Sequence, residues 1–190
     1  YFWEERNEWF SDVWEDIAGA GQRLESAGDD LRDRSAAYPV ELPYRLISMY
    51  SVYGDTVLDP FWGTGTTSLA AMIAGRSSVG YELQPEFTEV FDAAVATVED
   101  LARETVAGRL RRHEAFVDRR REDGEGFAYD AEHYDFPVTT KQERSLRLYT
   151  VDTVERVAEG YTVTHTPYDG DESAEEETDA GEQTSTERLE

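Results

Sequence analysis

The chain has 190 residues, which is enough for one domain with a packed core but scarcely for two. It contains no cysteine, which excludes a disulfide scaffold, a cysteine-ligated zinc site and a cysteine nucleophile. It has no apolar run of about 18 residues and no leader-like start, so we expect a cytoplasmic protein without a membrane span. Because it begins with Tyr1 and not with methionine, we also expect natural sequence upstream.

Negative charge is spread over the fold as well as the tail. The chain carries 42 acidic and 18 basic residues, a formal net charge of −24. Residues 169–190 hold ten acids and one Arg, net −9, which leaves 32 acids and 17 bases, net −15, before them. All bases except Lys141 are arginine, similar to usage in salt-loving archaea, where salt screens charges within about 3 Å at 1 M. The alternative is an ordinary acidic protein; in dilute buffer either would bind nucleic acid poorly.

The N-terminal segment, residues 1–34, is predicted to form a short helix and then a loop. Trp9, Val13, Trp14 and Ile17 recur at near-helical spacing, and three glycines between residues 19 and 28 interrupt the pattern. Tryptophans at this spacing are more often core or interface residues than base-stacking residues.

The stretch from residue 55 to residue 71 predicts a strand, a glycine turn and a helix. Val57 and Leu58 indicate a buried strand, and Asp59 falls at its carboxyl end. Glycines at 63 and 65 suit a tight turn where backbone approaches a ligand, and a helix beginning at Thr66 would offer free N–H groups to an anion. The candidate caps of that helix are Thr67 and Ser68.

A second strand is predicted nineteen residues past the first glycine of the turn. Residues 78–82 read Ser-Val-Gly-Tyr-Glu, so the strand ends in the carboxylate of Glu82. That spacing suits an acid that holds both ribose hydroxyls of an adenosine cofactor. The alternative is a turn without a ligand and a surface acid.

The residues of the turn also bear on which adenosine cofactor is bound. Ser68 matches the third small residue of the dinucleotide fingerprint only weakly, and no Gly-Lys pair follows as a P-loop would need. A carboxylate at Asp59 would repel a pyrophosphate, but it can accept a hydrogen bond from the α-amino group of S-adenosylmethionine.

Three segments together resemble the DNA amino-methyltransferases, which methylate N4 of cytosine or N6 of adenine. Residues 59–67, Asp-Pro-Phe-Trp-Gly-Thr-Gly-Thr-Thr, resemble their cofactor motif. Residues 34–47 resemble the segment that covers the methionine end of the cofactor, and residues 80–83 resemble the acid-bearing strand. The resemblance implies an α/β, Rossmann-like S-adenosylmethionine-dependent fold with permuted motif order, double-stranded DNA as substrate, and a place in restriction-modification. It implies cofactor contacts for Tyr38, Pro39, Asp59, Pro60, Phe61, Gly63, Gly65, Thr66, Thr67 and Glu82.

The catalytic motif of that family, Ser/Asp/Asn-Pro-Pro-aromatic, does not occur in this chain, because no two of its six prolines are adjacent. That motif holds the amine of a flipped base and stacks on its ring. Tyr38 also departs from the family, in which His is common at this position. We therefore expect an incomplete fold: the C-terminal, cofactor-binding part of a methyltransferase whose catalytic part lies upstream or on another chain. The alternatives are a degenerate remnant without catalysis and, less favoured, a nicotinamide-dependent oxidoreductase.

The C-terminal half is predicted to be helical at first and then rich in strands. Apolar residues recur every three or four positions from Glu86 to about Arg121, which predicts one long helix, or two with a break near Gly108. Segments 136–140, 146–151 and 161–166 predict short strands or a hairpin.

The sequence thus divides into four predicted parts. These are an N-terminal helix and loop at 1–34, a cofactor-binding part at 35–122, a small α+β extension at 123–168, and a disordered acidic tail at 169–190.

Other features of the sequence leave two interpretations open. The arginines between positions 109 and 121 would contact a DNA backbone, or would offset the helix dipole and pair with neighbouring acids. The three histidines lack metal-ligand spacing, so we expect no metal. Residues 139–142 are a weak candidate for reading DNA. The basic residues concerned are Arg109, Arg111, Arg112, Arg119, Arg120 and Arg121.

Overall fold

The structure is a computed structural model that describes residues 1–17 and 38–170. The loop predicted after the first helix and nearly all of the predicted acidic tail lie outside these ranges. Within the described ranges, no helix has the length and apolar character needed to cross a bilayer. The elements are α1 (Trp3–Trp9), α2 (Glu41–Tyr50), β1 (Thr56–Asp59), α3 (Thr66–Ala74), β2 (Ser77–Gly80), α4 (Glu86–Val95), α5 (Val98–Glu122), β3 (Tyr129–Asp130), β4 (Pro137–Val138), a 3₁₀ helix (Lys141–Ser145), β5 (Tyr149–Val157) and β6 (Gly160–Pro167).

A two-stranded parallel sheet carries the candidate site. In the β1–β2 pair, Thr56 lies opposite Ser77 and Asp59 lies opposite Gly80. Parallel strands need a crossover connection, and α3 provides it. Residues 68–74 of α3 are all buried, since this helix of small and apolar residues lies within the main core. The strand, turn, helix and second strand predicted from the sequence are confirmed.

This sheet is covered on one face only. Val57 packs against the core around α3, whereas Leu58 is 63 % exposed and its strand partner Val79 is 45 % exposed. Strand side chains alternate between faces, and α3 covers the face that carries Val57. The prediction of a buried strand is therefore wrong for Leu58.

The main core joins α2, α3, α4 and α5. It is built from consecutive residues of α3 and from side chains spaced three or four residues apart along the other helices, with Trp9 added from α1. Its buried members include Trp9, Tyr44, Ile47, Leu69, Ile73, Phe91, Val95 and Val98.

The N-terminal helix is fixed to α5 by a buried ion pair. The Arg109 guanidinium donates from Nε and Nη2 to the two carboxylate oxygens of Glu5, each at 2.7 Å, and from Nη1 to the Tyr44 hydroxyl at 3.0 Å. A buried charge needs such a partner because desolvation is costly. Trp9 lies 5.3 Å from the same guanidinium, so this tryptophan is a core residue, as the sequence indicated.

The predicted hairpin near the C-terminus is confirmed. β5 and β6 pair antiparallel, with Val154 opposite Val163 and an irregularity between Val151 and Thr153. The strand predicted at 136–140 is limited to the two residues of β4, which pair with β3.

Two helix predictions need correction. The first helix ends at Trp9, because the Trp14 indole donates to the Trp9 carbonyl and the Ser11 hydroxyl bonds to the backbone of Val13. The long helix is interrupted at Thr97, whose hydroxyl donates to the Ala94 carbonyl, and not near Gly108.

Candidate functional site

The candidate site lies where β1 and β2 end. The Tyr81 amide donates to the Asp59 carbonyl at 3.0 Å, and the Trp62 amide donates to the Tyr81 carbonyl at 3.0 Å. These bonds extend the strand pairing beyond Gly80. They bring the Asp59 carboxylate, the glycine turn and Glu82 to the same edge of the sheet.

Gly63 is the open position of the turn. Its φ is 53°, in the left-handed region that favours glycine. A Cβ built at Gly63 would meet nothing closer than the Phe61 carbonyl oxygen, at 4.0 Å. The space beside Gly63 is therefore free for a ligand to approach the backbone, as the sequence predicted.

Gly65 is glycine for a different reason than the one predicted. Its φ is 76°, and a Cβ built there would lie 2.4 Å from Phe91 Cδ2 and 2.8 Å from Trp62 Cζ2. The protein's own side chains thus occupy the space beside Gly65. The space that a Cβ would fill at Gly65 is thus not open to a ligand, and a cofactor contact of its backbone stays a prediction.

The helix after the turn begins without a side-chain cap. α3 starts at Thr66 with Gly65 as N-cap. The predicted caps are wrong because Thr67 Oγ1 lies 2.7 Å from the Tyr38 hydroxyl and Ser68 Oγ accepts the Trp62 indole N–H at 2.8 Å. Backbone N–H groups of the first turn are left without a capping side chain, the arrangement that suits a carboxylate or phosphate.

The Glu82 carboxylate accepts three backbone hydrogen bonds at the edge of the turn. The donors are the amides of Gly63 at 2.9 Å, Leu83 at 2.8 Å and Gln84 at 2.9 Å. These bonds, led by the one from Gln84, hold the pKa of Glu82 below its ordinary value. Glu82 is exposed and charged, and it is tied directly to the turn.

Asp59, Pro60 and Phe61 form the other side of the site. Asp59 Oδ1 accepts the Phe61 amide at 3.0 Å, which fixes the carboxylate at the strand tip. Pro60 is exposed, and the Phe61 ring is 89 % exposed. An aromatic ring this exposed beside an open turn is available to pack against a bound ligand.

The segment before α2 reaches the same turn. The hydrogen bond between Tyr38 and Thr67 places Tyr38 over the start of α3, and the Pro39 carbonyl accepts the Leu42 amide at 3.1 Å where α2 begins. All ten residues that the resemblance implied as cofactor contacts therefore lie in one region, around the turn and the two strand tips.

A groove of about 780 Å³ runs from this site along β2 to the hairpin. Glu82 and residues of β2, α3, α4 and β6 line this groove. Lining residues include Trp62, Ser68, Gly80, Phe91, Tyr161 and His165.

The arginines of α5 are mostly paired with acids. Arg109 is buried against Glu5, as described above. Arg111 pairs with Glu104, Arg120 with Glu125, and Arg121 with Asp118. Pairing with acids is thus observed for these four arginines.

Among residues 1–17 and 38–170, no group of three His, Asp or Glu side chains could hold a metal ion. The buried His113 lies between the Glu4 carboxylate at 2.7 Å and the Pro137 carbonyl at 3.1 Å. His165 bonds to the Met72 carbonyl at 2.6 Å.

Trp62 and Gly80 lie in the segments 59–67 and 80–83, but no role of their own was predicted for them. Both contribute to the shape of the site, since the Trp62 ring lies directly against Gly80. A large aromatic residue inside a glycine turn was the available signal.

Comparisons with known proteins associate the N-terminal half of the chain with DNA methylases. Residues 1–93 match the model of the N6_N4_Mtase family, described as DNA methylase. Type II methyltransferase M.MthZI of Methanothermobacter thermautotrophicus is 50% identical over 157 residues, 83% of this chain and 42% of the relative. Type II methyltransferase M.MjaI of Methanocaldococcus jannaschii is 44% identical over 95 residues, 50% of this chain and 30% of the relative. The chain thus spans less than half of either relative.

A solved structure also shares sequence with this region. It is of a protein from Thermus thermophilus described as a DNA modification methylase, in complex with S-adenosyl-L-methionine. The identity is 35%, over 50% of this chain and 32% of that one, with a TM-score of 0.39.

Proposed function

We propose that this chain is the cofactor-binding part of a site-specific DNA methyltransferase. The complete enzyme would transfer a methyl group from S-adenosylmethionine to an exocyclic amino group, N4 of cytosine or N6 of adenine, in double-stranded DNA. The match of residues 1–93 to the DNA methylase family and the two type II relatives support this assignment.

One observation carries the proposal: the open turn at Gly63 is bonded to the exposed carboxylate of Glu82. The bond is 2.9 Å, and the side of Gly63 that a Cβ would occupy is free. Next to it, α3 begins without a side-chain cap. An amino acid joined to an adenosine needs an anion-binding helix start, an acceptor for its ammonium group and an acceptor for its ribose hydroxyls, and the residues at this edge fit those needs.

Different residues of the site would bind different parts of the cofactor. The N–H groups at Thr66 and Thr67 would bind the methionine carboxylate, Asp59 would accept from the ammonium group, and Glu82 would hold the ribose. The exposed Phe61 ring would pack beside the cofactor, with Tyr38 and Pro39 above the helix start. When bound, S-adenosylmethionine supplies an electrophilic methyl group. The chain's own residues contribute to transfer by positioning that group.

The catalytic residues of the enzyme would lie outside this chain. No Pro-Pro-aromatic sequence occurs here, so no described residue is assigned to hold the target amine. The uncovered face of the parallel sheet supports this division, because parallel sheets are normally covered on both faces. We propose that the catalytic part covers Leu58 and Val79 and completes a Rossmann-like sheet. That catalytic part would also determine the target base and the recognition sequence.

A methyl-transfer assay of the protein encoded by the complete reading frame tests the proposal. The protein encoded by the complete reading frame that contains this chain is incubated with DNA and S-adenosylmethionine labelled in the methyl group. Label is expected in N4-methylcytosine or N6-methyladenine for the whole protein and not for residues 1–190 alone. Absence of labelled DNA with a folded whole protein, over a range of salt concentrations, would reject the proposed function.

A further inference from the structure

Trp62 stands inside the turn, and its side chain contacts the elements on both sides. Its indole N–H donates to Ser68 Oγ on α3 at 2.8 Å. Its ring meets the Phe91 ring of α4 edge to face, with 4.8 Å between centroids. The half-buried indole thus spans the start of one helix and the middle of another.

Gly80 lies directly under this indole. A Cβ built at Gly80 would be 2.0 Å from Trp62 Cδ1 and 2.5 Å from Cγ. Those atoms belong to the rigid ring next to its attachment, so a methyl group there has to displace the whole indole. The φ of Gly80 is not positive, so its backbone conformation does not require glycine.

The backbone of Trp62 is also fixed on both sides. Its amide donates to the Tyr81 carbonyl at 3.0 Å, and its carbonyl accepts the Gly65 amide at 2.9 Å. The amide of the preceding residue, Phe61, donates to the Asp59 carboxylate, and the amide of the following residue, Gly63, donates to the Glu82 carboxylate. Displacing the indole should therefore move the Phe61 and Gly63 amides, which donate to the Asp59 and Glu82 carboxylates.

We propose that Trp62 is a positioning residue for cofactor binding and that residue 80 is glycine to accommodate its indole. The inference rests on the proposed function for its effect on S-adenosylmethionine. The packing between Trp62 and Gly80 can be tested independently of the proposed function.

The test is a double-mutant cycle between positions 62 and 80. The dissociation constant for S-adenosylmethionine and the thermal midpoint are measured for Gly80→Ala, Trp62→Ala and the double variant. Gly80→Ala is expected to weaken binding on the order of tenfold or more and to lower the midpoint, as expected when a methyl group is forced into a packed site. In the Trp62→Ala background the same change is expected to alter binding less than about twofold, because the indole is gone.

Further variants keep the outcome decisive if Trp62→Ala does not fold. Ser68→Ala removes the acceptor of the indole hydrogen bond, and Trp62→Phe removes the donor together with part of the ring; each should weaken binding about two- to tenfold. Gly126→Ala is the matched control, since a Cβ there meets nothing within 4 Å. Equal effects of Gly80→Ala in both backgrounds, or wild-type affinity in Gly80→Ala, would overturn the inference. If the wild-type chain binds no S-adenosylmethionine, the proposed function fails, and the coupling in the thermal midpoint still decides the Trp62–Gly80 packing.

Discussion

At the scale of single residues, the site depends on two carboxylates held by backbone amides. Glu82 accepts three such bonds and Asp59 accepts one from Phe61. Bonds of this kind fix the orientation of a carboxylate, and the three bonds to Glu82 hold its pKa below its ordinary value. This geometry explains why an acidic residue lies at the end of β1, Asp59, and another lies just after β2, Glu82.

Replacing Glu82 with alanine should weaken S-adenosylmethionine binding by about 1.5–3 kcal/mol, roughly 10- to 150-fold, the range for hydrogen bonds to a charged group. Calorimetric titration of the chain measures this change. Glu89→Ala, which removes another exposed carboxylate from α4, is the control and should bind like wild type. Unchanged affinity in Glu82→Ala would remove the ribose role from this residue.

At the scale of elements, the sequence predicts the site better than its surroundings. The strand, the glycine turn, α3 and β2 follow from local signals in residues 55–82, and the structure contains all of them. What could not be predicted depends on contacts between distant segments. Thr67 bonds to Tyr38 instead of capping its helix, and Gly65 makes room for Phe91, which lies on α4.

The contact between α1, α5 and β4 contains a buried histidine that lies between two hydrogen-bond acceptors. The His113 ring stacks on Phe2 at 4.2 Å, and both of its nitrogens face acceptors, Glu4 and the Pro137 carbonyl. Burial alone would lower the pKa of His113, but the hydrogen bond and charge of Glu4, with the Pro137 carbonyl and nearby Glu143, raise it above its ordinary value. The folded chain therefore binds the His113 proton more tightly than the unfolded chain does.

Stability should fall as pH rises through the raised pKa of His113. A raised pKa stabilises the folded chain fully below the unfolded value of about 6.5, and this contribution is lost above the folded value. It amounts to about 1.4 kcal/mol for each tenfold difference in proton affinity between the folded and unfolded states. Urea midpoints between pH 6 and pH 9 measure it. His113→Gln should lack this pH dependence, whereas the exposed His133→Gln should keep it. The same slope in His113→Gln as in wild type would contradict the assignment.

At the scale of the whole molecule, the chain combines a strongly acidic composition with an apolar sheet face. The net charge is −24, while Leu58, Val79 and Tyr81 are 63 %, 45 % and 64 % exposed. Repulsion between like charges is screened by salt, so molar KCl is the appropriate solvent for measurements. An apolar sheet face of this kind is typical of a contact surface.

Leu58→Glu should reduce binding of a hydrophobic dye such as ANS and leave the thermal midpoint nearly unchanged. The side chain is mostly exposed, so its replacement should alter the free energy of unfolding by less than about 0.5 kcal/mol. Val157→Glu on β5, where Val157 is 47 % exposed, is the matched control and should leave dye binding as it is. A large drop in the midpoint of Leu58→Glu would mean that this face is already covered in the isolated chain.

The most direct measurement is calorimetric titration of the chain with S-adenosylmethionine and, separately, with NADH, in molar KCl. The site predicts saturable binding of S-adenosylmethionine at one site per chain and no binding of NADH, because Asp59 would repel a pyrophosphate next to the turn. Binding of NADH without S-adenosylmethionine, or no binding of S-adenosylmethionine to a folded chain, would contradict the assignment of this site.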